Sequence, residues 1–200
     1  MLIILVFDSM KKSKVSRVMG CVVAGLLGLF VLWLLLPSQR VYMPVDKATS
    51  GDYNHASFWY FPWGEQRHHI GIDIFAPEGR DVHPACAGLV IRADGMSKIG
   101  GNVVYVVGTG GRVYYYAHLS EVLTHPGALV TRDDVIGRVG RTGNASRAGC
   151  PPHLHFSIFT LVPQSHDIDE SKASLNAHDH GRLRWLVDPA KALQANSENR

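Results

Sequence analysis

Apolar and polar positions alternate along much of the second half of the chain, and this period of two predicts short β-strands. Four runs rich in Val, Ile and Tyr carry the pattern, with Gly, Pro or Asp residues between them. These runs are Leu89–Ala93, Asn102–Val107, Arg112–His118 and Val135–Val139. A helical stripe is found only at Arg182–Leu193, and Pro189 interrupts it. The pattern therefore predicts a mainly β domain with an antiparallel sheet.

Near the N-terminus the alternation gives way to one apolar run. Residues 18–36 carry no charge and have about the length that crosses a bilayer as a helix. A basic cluster precedes the run: Lys11, Lys12, Lys14 and Arg17. The positive-inside rule keeps that end in the cytoplasm, so we expect everything after Pro37 to lie outside.

Two alternatives concern this N-terminal region. A cleavable signal peptide competes with an uncleaved anchor, but its apolar region is normally shorter and ends in small residues. We therefore favour the anchor. Met10 is an alternative start, because it would give the conventional opening Met-Lys-Lys-Ser-Lys ahead of the apolar run.

The patterns divide the 200 residues into five segments. The stretch from Ser38 to Glu65 shows no sustained period, which indicates a linker that runs into the domain. We expect a basic cytoplasmic N-terminus (1–17), a transmembrane signal-anchor helix (18–36), a linker and lead-in loop (37–63), one folded domain (64–193) and a tail (194–200).

Composition narrows the class of protein. The net charge of +3 owes much to the basic cluster before the apolar run, and no basic stripe interleaved with aromatic residues follows it. Nucleic acid is therefore not an expected partner. Cys86 and Cys150 would lie in a compartment where disulfides persist, and the sequence leaves open whether they pair or remain separate thiols.

Residues that bind metal occur in two alternating segments. In a strand, His69, Gly71 and Asp73 would share one face. About eighty residues later, His153 and His155 repeat the pattern, with Leu154, Phe156 and Ile158 facing a core. Imidazoles and a carboxylate are the ligands that zinc takes at catalytic sites.

Spacing constrains how these residues share one ion. In a straight strand the Cα atoms of His69 and Asp73 would be about 13 Å apart, too far for ligands about 2 Å from one zinc. The chain should therefore bend between them, and Gly71 is the residue that permits a bend and leaves space for the metal. His153 and His155 are only about 7 Å apart on one face and need no distortion.

This constellation is typical of metal-assisted hydrolysis. Catalytic zinc commonly takes three protein ligands and keeps one position for water. His69, Asp73 and one histidine of the later pair would fill that set. The other histidine, with His118, would take a proton from the activated water and stabilise the developing oxyanion.

The stretch from about residue 64 to 160 resembles the lysostaphin-type (LytM, M23) zinc endopeptidases of peptidoglycan. That family is marked by His-x-x-x-Asp, Tyr-x-His-Leu and His-x-His. The matching residues here are His69 and Asp73, Tyr116 and His118, and His153 and His155.

The resemblance implies a role for each residue. His69, Asp73 and His155 would be the Zn²⁺ ligands, and His118 and His153 the catalytic histidines. It also implies a LytM-like antiparallel sheet of the duplicated-hybrid-motif type with a groove between loops.

The resemblance further implies peptidoglycan peptides as substrate, which suits a periplasmic domain anchored in the inner membrane, with an envelope partner as a possible regulator. The alternative is a non-catalytic LytM-like domain that binds the wall or activates an amidase. The sequence departs from the family in the loop 146–152 and at Ser157, where an acidic residue is common.

The remaining histidines, and two tyrosines near His118, are not predicted to be metal ligands. We expect no metal at His55, His68, His83, His125 and His166. His178 and His180 lie in a polar segment, 165–181, without apolar alternation, and are not expected to bind the metal. Tyr114 and Tyr116 would share the face of His118, where substrate contact and packing remain alternatives.

Overall fold

The structure is a computed structural model that describes residues 2–61, 68–165 and 181–195, with side chains from Ser16 onward. The chain divides into two compact units, Met1–Leu36 and Pro37–Arg200. The first unit is one helix, α1, at Leu2–Leu35. Within it Ser16–Leu35 has a mean hydropathy of 2.6, so by length and composition this segment can cross a membrane or serve as a signal sequence.

The second unit is mainly β and antiparallel, as the alternation predicts. Its strands are β1 (Ile72–Phe75), β2 (Asp81–Val82), β3 (Gly88–Ser97), β4 (Gly101–Val107), β5 (Arg112–Leu119), β6 (Glu121–Val122), β7 (Leu129–Val130), β8 (Gly137–Arg138), β9 (His153–Thr160) and β10 (Leu186–Val187). A short helix, α2, follows at Pro189–Gln194.

Two sheets make up this unit. The large one has the order β1-β9-β5-β4-β3-β7, with β10 also paired to β9. The small one has the order β2-β8-β6. Because β9 lies between β1 and β5, residues from the two ends of the domain sequence meet on neighbouring strands.

The core lies on one face of the large sheet. Leu154, Phe156 and Ile158 of β9 are fully buried there, which confirms the predicted alternation of that strand. Tyr114 and Tyr116 of the neighbouring β5 are also fully buried in the same cluster. The odd-numbered residues of β9 therefore face the other side of the sheet.

The segment before residue 62 is part of the packed domain. Val41, Val45, Tyr53, Phe58 and Trp59 belong to the main core cluster, although the sequence predicts a linker and lead-in loop here. Their spacing is irregular because the segment packs through isolated bridges and turns, so it leaves no periodic signal.

The C-terminal part differs from the single helical stripe predicted for Arg182–Leu193. Residues 181–183 are helical, Leu186 and Val187 form β10 on β9, and a separate helix begins at Pro189. Asp188 caps this helix, since its Oδ1 accepts hydrogen bonds from the N–H groups of Ala190 (2.9 Å) and Lys191 (3.3 Å). Proline at the first helical position starts the helix rather than interrupting one.

Cys86 and Cys150 do not form a disulfide. Cys86 is buried and Cys150 half-buried, and the structure has them as separate thiols. The polar segment with His166, His178 and His180 lies outside the described residues.

Candidate metal centre

Strand pairing brings two of the candidate ligands together. Asp73 of β1 lies directly opposite His155 of β9 in the antiparallel register. His69 precedes β1, and two backbone hydrogen bonds fix its position: its carbonyl accepts from Trp59 N–H (2.7 Å), and its N–H donates to Tyr60 O (3.1 Å). Residues 86 positions apart in sequence therefore reach one point in the fold.

Three donor atoms converge there. His69 Nε2 is 3.1 Å from Asp73 Oδ1 and 3.1 Å from His155 Nδ1, and the last two atoms are 2.9 Å apart. Two atoms that bind a tetrahedral zinc ion at 2.0–2.1 Å would be about 3.3 Å apart, so the observed spacing fits one ion with small adjustments. Among the described residues this is the one group of three or more His, Cys, Asp or Glu side chains close enough to share a metal.

The bend expected at Gly71 is present, because the chain bends at this residue and β1 begins only at Ile72. The structure shows a further reason for glycine. A Cβ atom at position 71 would lie 2.3 Å from Phe156 O and 2.5 Å from Ser157 Oγ. Gly71 thus leaves space for the approach of β9, while its expected role in leaving space for the metal stays a prediction.

Each imidazole at the site is held by a hydrogen-bonding contact through one of its ring nitrogens. For three histidines, Nδ1 contacts a backbone carbonyl: His69 to Ser57 O at 3.0 Å, His118 to Thr142 O at 2.9 Å and His153 to Pro151 O at 2.8 Å. Carbonyls only accept, so Nδ1 carries the proton and Nε2 keeps its lone pair. His155 is reversed, with Nε2 at 2.9 Å from Ser157 Oγ and Nδ1 facing the centre.

His118 reaches the site through a backbone irregularity. Strand alternation would place its side chain with Tyr114 and Tyr116 in the core. Its φ of 65° is left-handed, and the β4–β5 register shifts at this point. The bulge re-aims the ring so that its centroid is 4.9 Å from that of His153. The predicted shared face is therefore wrong, and both tyrosines pack in the core.

Burial and neighbouring groups set the charges of the site. Burial raises the pKa of Asp73, but the close imidazoles of His155 and His69 outweigh it and hold the pKa well below its usual range. Burial, with the charges of His155 and His153, lowers the pKa of His118 to about 4. Burial also lowers the pKa of His155. At neutral pH these groups are a carboxylate and neutral imidazoles, the forms that bind metal or accept protons.

The surroundings include residues that the sequence analysis did not assign to the site. The Phe75 ring is 44% exposed, with its centroid 5.8 Å from that of His153. Cys150 Sγ is 4.0 Å from His153 Nδ1. The carbonyls of Ser57, Thr142 and Pro151 carry no sequence signal, because any residue supplies a carbonyl.

Comparison with known families identifies the chain's class. Residues 67–169, just over half of the chain, match the family described as Peptidase family M23. The chain therefore belongs to peptidase family M23. The matched range contains all five residues His69, Asp73, His118, His153 and His155.

Two individual relatives match most of the chain. The L-Ala–D-Glu endopeptidase of Bacillus subtilis is 31% identical over 151 residues, 72% of this chain and 40% of that protein. The peptidoglycan DD-endopeptidase ShyC of Vibrio cholerae is 31% identical over 144 residues, 66% of this chain and 32% of that protein. This chain thus spans less than half the length of either relative.

A solved structure shares the fold. The antimicrobial peptidase lysostaphin from Staphylococcus simulans matches with a TM-score of 0.51 at 20% identity, over 80% of this chain and 55% of that one. The LytM/lysostaphin-like antiparallel fold predicted from the sequence is confirmed.

Proposed function

We propose that this protein is a zinc endopeptidase that hydrolyses peptide bonds in the stems or cross-links of peptidoglycan. The observation that carries the proposal is the convergence of His69 Nε2, Asp73 Oδ1 and His155 Nδ1 within 3.1 Å of one another. Family membership and relatives named for peptidoglycan or L-Ala–D-Glu cleavage support the same reaction.

His69, Asp73 and His155 would hold the ion. One carboxylate and two neutral imidazoles are a suitable donor set, and a three-residue set leaves room for substrate. When bound, zinc supplies Lewis-acid polarisation of the scissile carbonyl and brings the pKa of water down to about 7. The remaining steps depend on groups of this chain.

His118 and His153 are proposed as the catalytic histidines. Their Nδ1–H groups are engaged by the carbonyls of Thr142 and Pro151, so the lone pair of each neutral ring is on Nε2. His153 Nε2 lies 3.9 Å from Asp73 Oδ1, next to the ligand atoms. One histidine of the pair would accept the proton of the attacking water at Nε2. The imidazolium so formed would donate a hydrogen bond to the carbonyl oxygen as it gains charge and would then pass the same proton to the leaving amine.

A location at the cell envelope fits this substrate. Ser16–Leu35 is apolar and long enough to cross a bilayer, and Lys11, Lys12 and Lys14 precede it. We propose a single-pass anchor in the inner membrane, with the peptidase domain in the periplasm.

Digestion of purified sacculi tests the proposal. The full-length protein in detergent should release soluble peptidoglycan fragments, lose this activity after chelation and regain it when zinc is restored. Asp73→Ala is the matched inactive control. A protein that carries zinc but releases no fragments would instead favour a wall-binding or amidase-activating role.

A further inference from the structure

The hydrogen-bond partner of His155 differs from those of the other three histidines at the site. His69, His118 and His153 are anchored by backbone carbonyls. His155 is anchored by a side chain, with Nε2 at 2.9 Å from Ser157 Oγ. Of the four histidines, only His155 therefore has a hydrogen-bond partner that a side-chain substitution, at Ser157, can remove.

Ser157 is built into the sheet at this point. It lies two residues beyond His155 on the same face of β9, and it pairs with Tyr115 of β5. The residue is fully buried, and its Oγ lies 2.5 Å from the position a Cβ atom on Gly71 would occupy. The absence of a side chain at Gly71 thus leaves the space that the Ser157 hydroxyl occupies.

We propose that Ser157 is a positioning residue for the metal centre, whose hydroxyl accepts the Nε2–H of His155 and so keeps Nδ1 free to bind the ion. A neutral imidazole carries one N–H, so a proton held on Nε2 leaves the lone pair on Nδ1. The inference rests on the metal-binding part of the proposed function and not on the identity of the substrate.

Loss of the hydroxyl would act on the metal through His155. Without an acceptor, a buried Nε2–H is unsatisfied, which disfavours this tautomer. The alternative tautomer puts the proton on Nδ1, where Asp73 Oδ1 at 2.9 Å accepts it. The proton then takes the Nδ1 lone pair, and its hydrogen bond takes the Asp73 carboxylate oxygen. The ion needs both groups, so metal binding becomes weaker.

Zinc affinity of the full-length protein in detergent, measured by competition with a chromogenic chelator, tests the inference. Ser157→Ala should weaken zinc binding about 10- to 100-fold, the range found for partners of metal-ligating histidines. Thr160→Val is the matched control, because Thr160 is a buried hydroxyl on the same strand that bonds to Val162 O and lies away from the site. It should leave the zinc affinity unchanged.

An isosteric pair keeps the test decisive if Ser157→Ala does not fold. Ser157→Thr retains the hydroxyl and Ser157→Val replaces it with a methyl group, so only the valine variant should lose affinity. Nitrogen-15 NMR of the histidines in the zinc-loaded protein adds a direct readout. A protonated Nε2 on His155 should exchange slowly in wild type and rapidly in the alanine or valine variant.

Equal zinc affinity in the threonine and valine variants, or in wild type and the alanine variant, would overturn the inference. The proposed function fails by a different result, since it requires cleavage of sacculi by wild type. Intact sacculi together with the expected affinity ratio would reject the peptidase proposal and leave the role of Ser157 standing.

Discussion

At the residue scale, distance from the Asp73 carboxylate distinguishes the proposed ligands from the proposed catalytic histidines. His69 presents Nε2 and His155 presents Nδ1 to the same carboxylate oxygen of Asp73, at 3.1 Å and 2.9 Å. His118 and His153 form a neighbouring pair with a ring-centroid distance of 4.9 Å. The proposed roles therefore predict that substitutions in the two sets have different effects.

Asp73→Ala and His118→Ala are expected to separate binding from catalysis. Asp73→Ala removes the carboxylate and should abolish bound zinc together with hydrolysis. His118→Ala leaves all three proposed ligands and should retain zinc while lowering the cleavage rate by roughly 10²- to 10⁴-fold. Metal content by atomic emission and rates on sacculi check both. Loss of zinc in the His118 variant would contradict the assignment.

The depressed pKa of His118 predicts a pH dependence of stability in the metal-free protein. Its pKa is about 4, below the ordinary 6.5, so the unfolded state binds more protons between these values. The stability contributed by neutral His118 is complete above about pH 6.5 and is lost as the pH falls toward 4. Urea unfolding with chelator present should show that His118→Gln loses less unfolding free energy across this pH window than wild type does. Parallel curves for the two proteins would exclude the effect.

At the element scale, the approach of β1 to β9 depends on Gly71. An added Cβ would meet the Phe156 carbonyl at 2.3 Å, and this backbone cannot move without disturbing the strand pairing that places Asp73 beside His155.

Gly71→Ala should therefore cost about 1–3 kcal/mol of unfolding free energy and weaken zinc binding. Gly51→Ala is the control, because a Cβ there meets its nearest atom at an ordinary 3.6 Å. Denaturant unfolding and zinc titration measure both effects. Equal stability of the two variants would contradict the packing argument.

The elements differ in how well the sequence predicts them. Alternation predicts β9 and its buried residues, since a strand with one buried face has a strict period of two. The bulge at His118 leaves no signal, because a left-handed φ at a histidine follows from the register of β4 and β5 and not from its own residue type. The Tyr-x-His-Leu motif, rather than strand periodicity, is the sequence signal that supports His118 in the predicted site.

At the scale of the whole molecule, the boundary of the folded domain lies earlier than the sequence patterns suggest. Pro37 already contacts the domain, since its carbonyl accepts a hydrogen bond from Thr109 Oγ1 at 2.8 Å. The contribution of residues 41–59 to the core was not predictable from local patterns, because the segment pairs with residues distant in sequence, as Val45 does with Val82 and Tyr53 with Ile74 in isolated β-bridges.

Truncation tests this boundary. A chain starting at Pro37 should unfold cooperatively, because it keeps every residue of the second compact unit. A chain starting at Phe61 should lose cooperative unfolding, since it lacks five core side chains, and fully burying one large apolar side chain contributes about 1.5–3 kcal/mol. Circular dichroism during thermal unfolding distinguishes the two. Equal midpoints would restore the linker interpretation.

Mass spectrometry of the fragments released from sacculi tests the central claim most directly. The account predicts new amino and carboxyl termini within stem peptides or cross-links, produced by wild type and absent with Asp73→Ala. Products cut only in the glycan strand, or only between the glycan and the first stem residue, would contradict an endopeptidase at this metal centre.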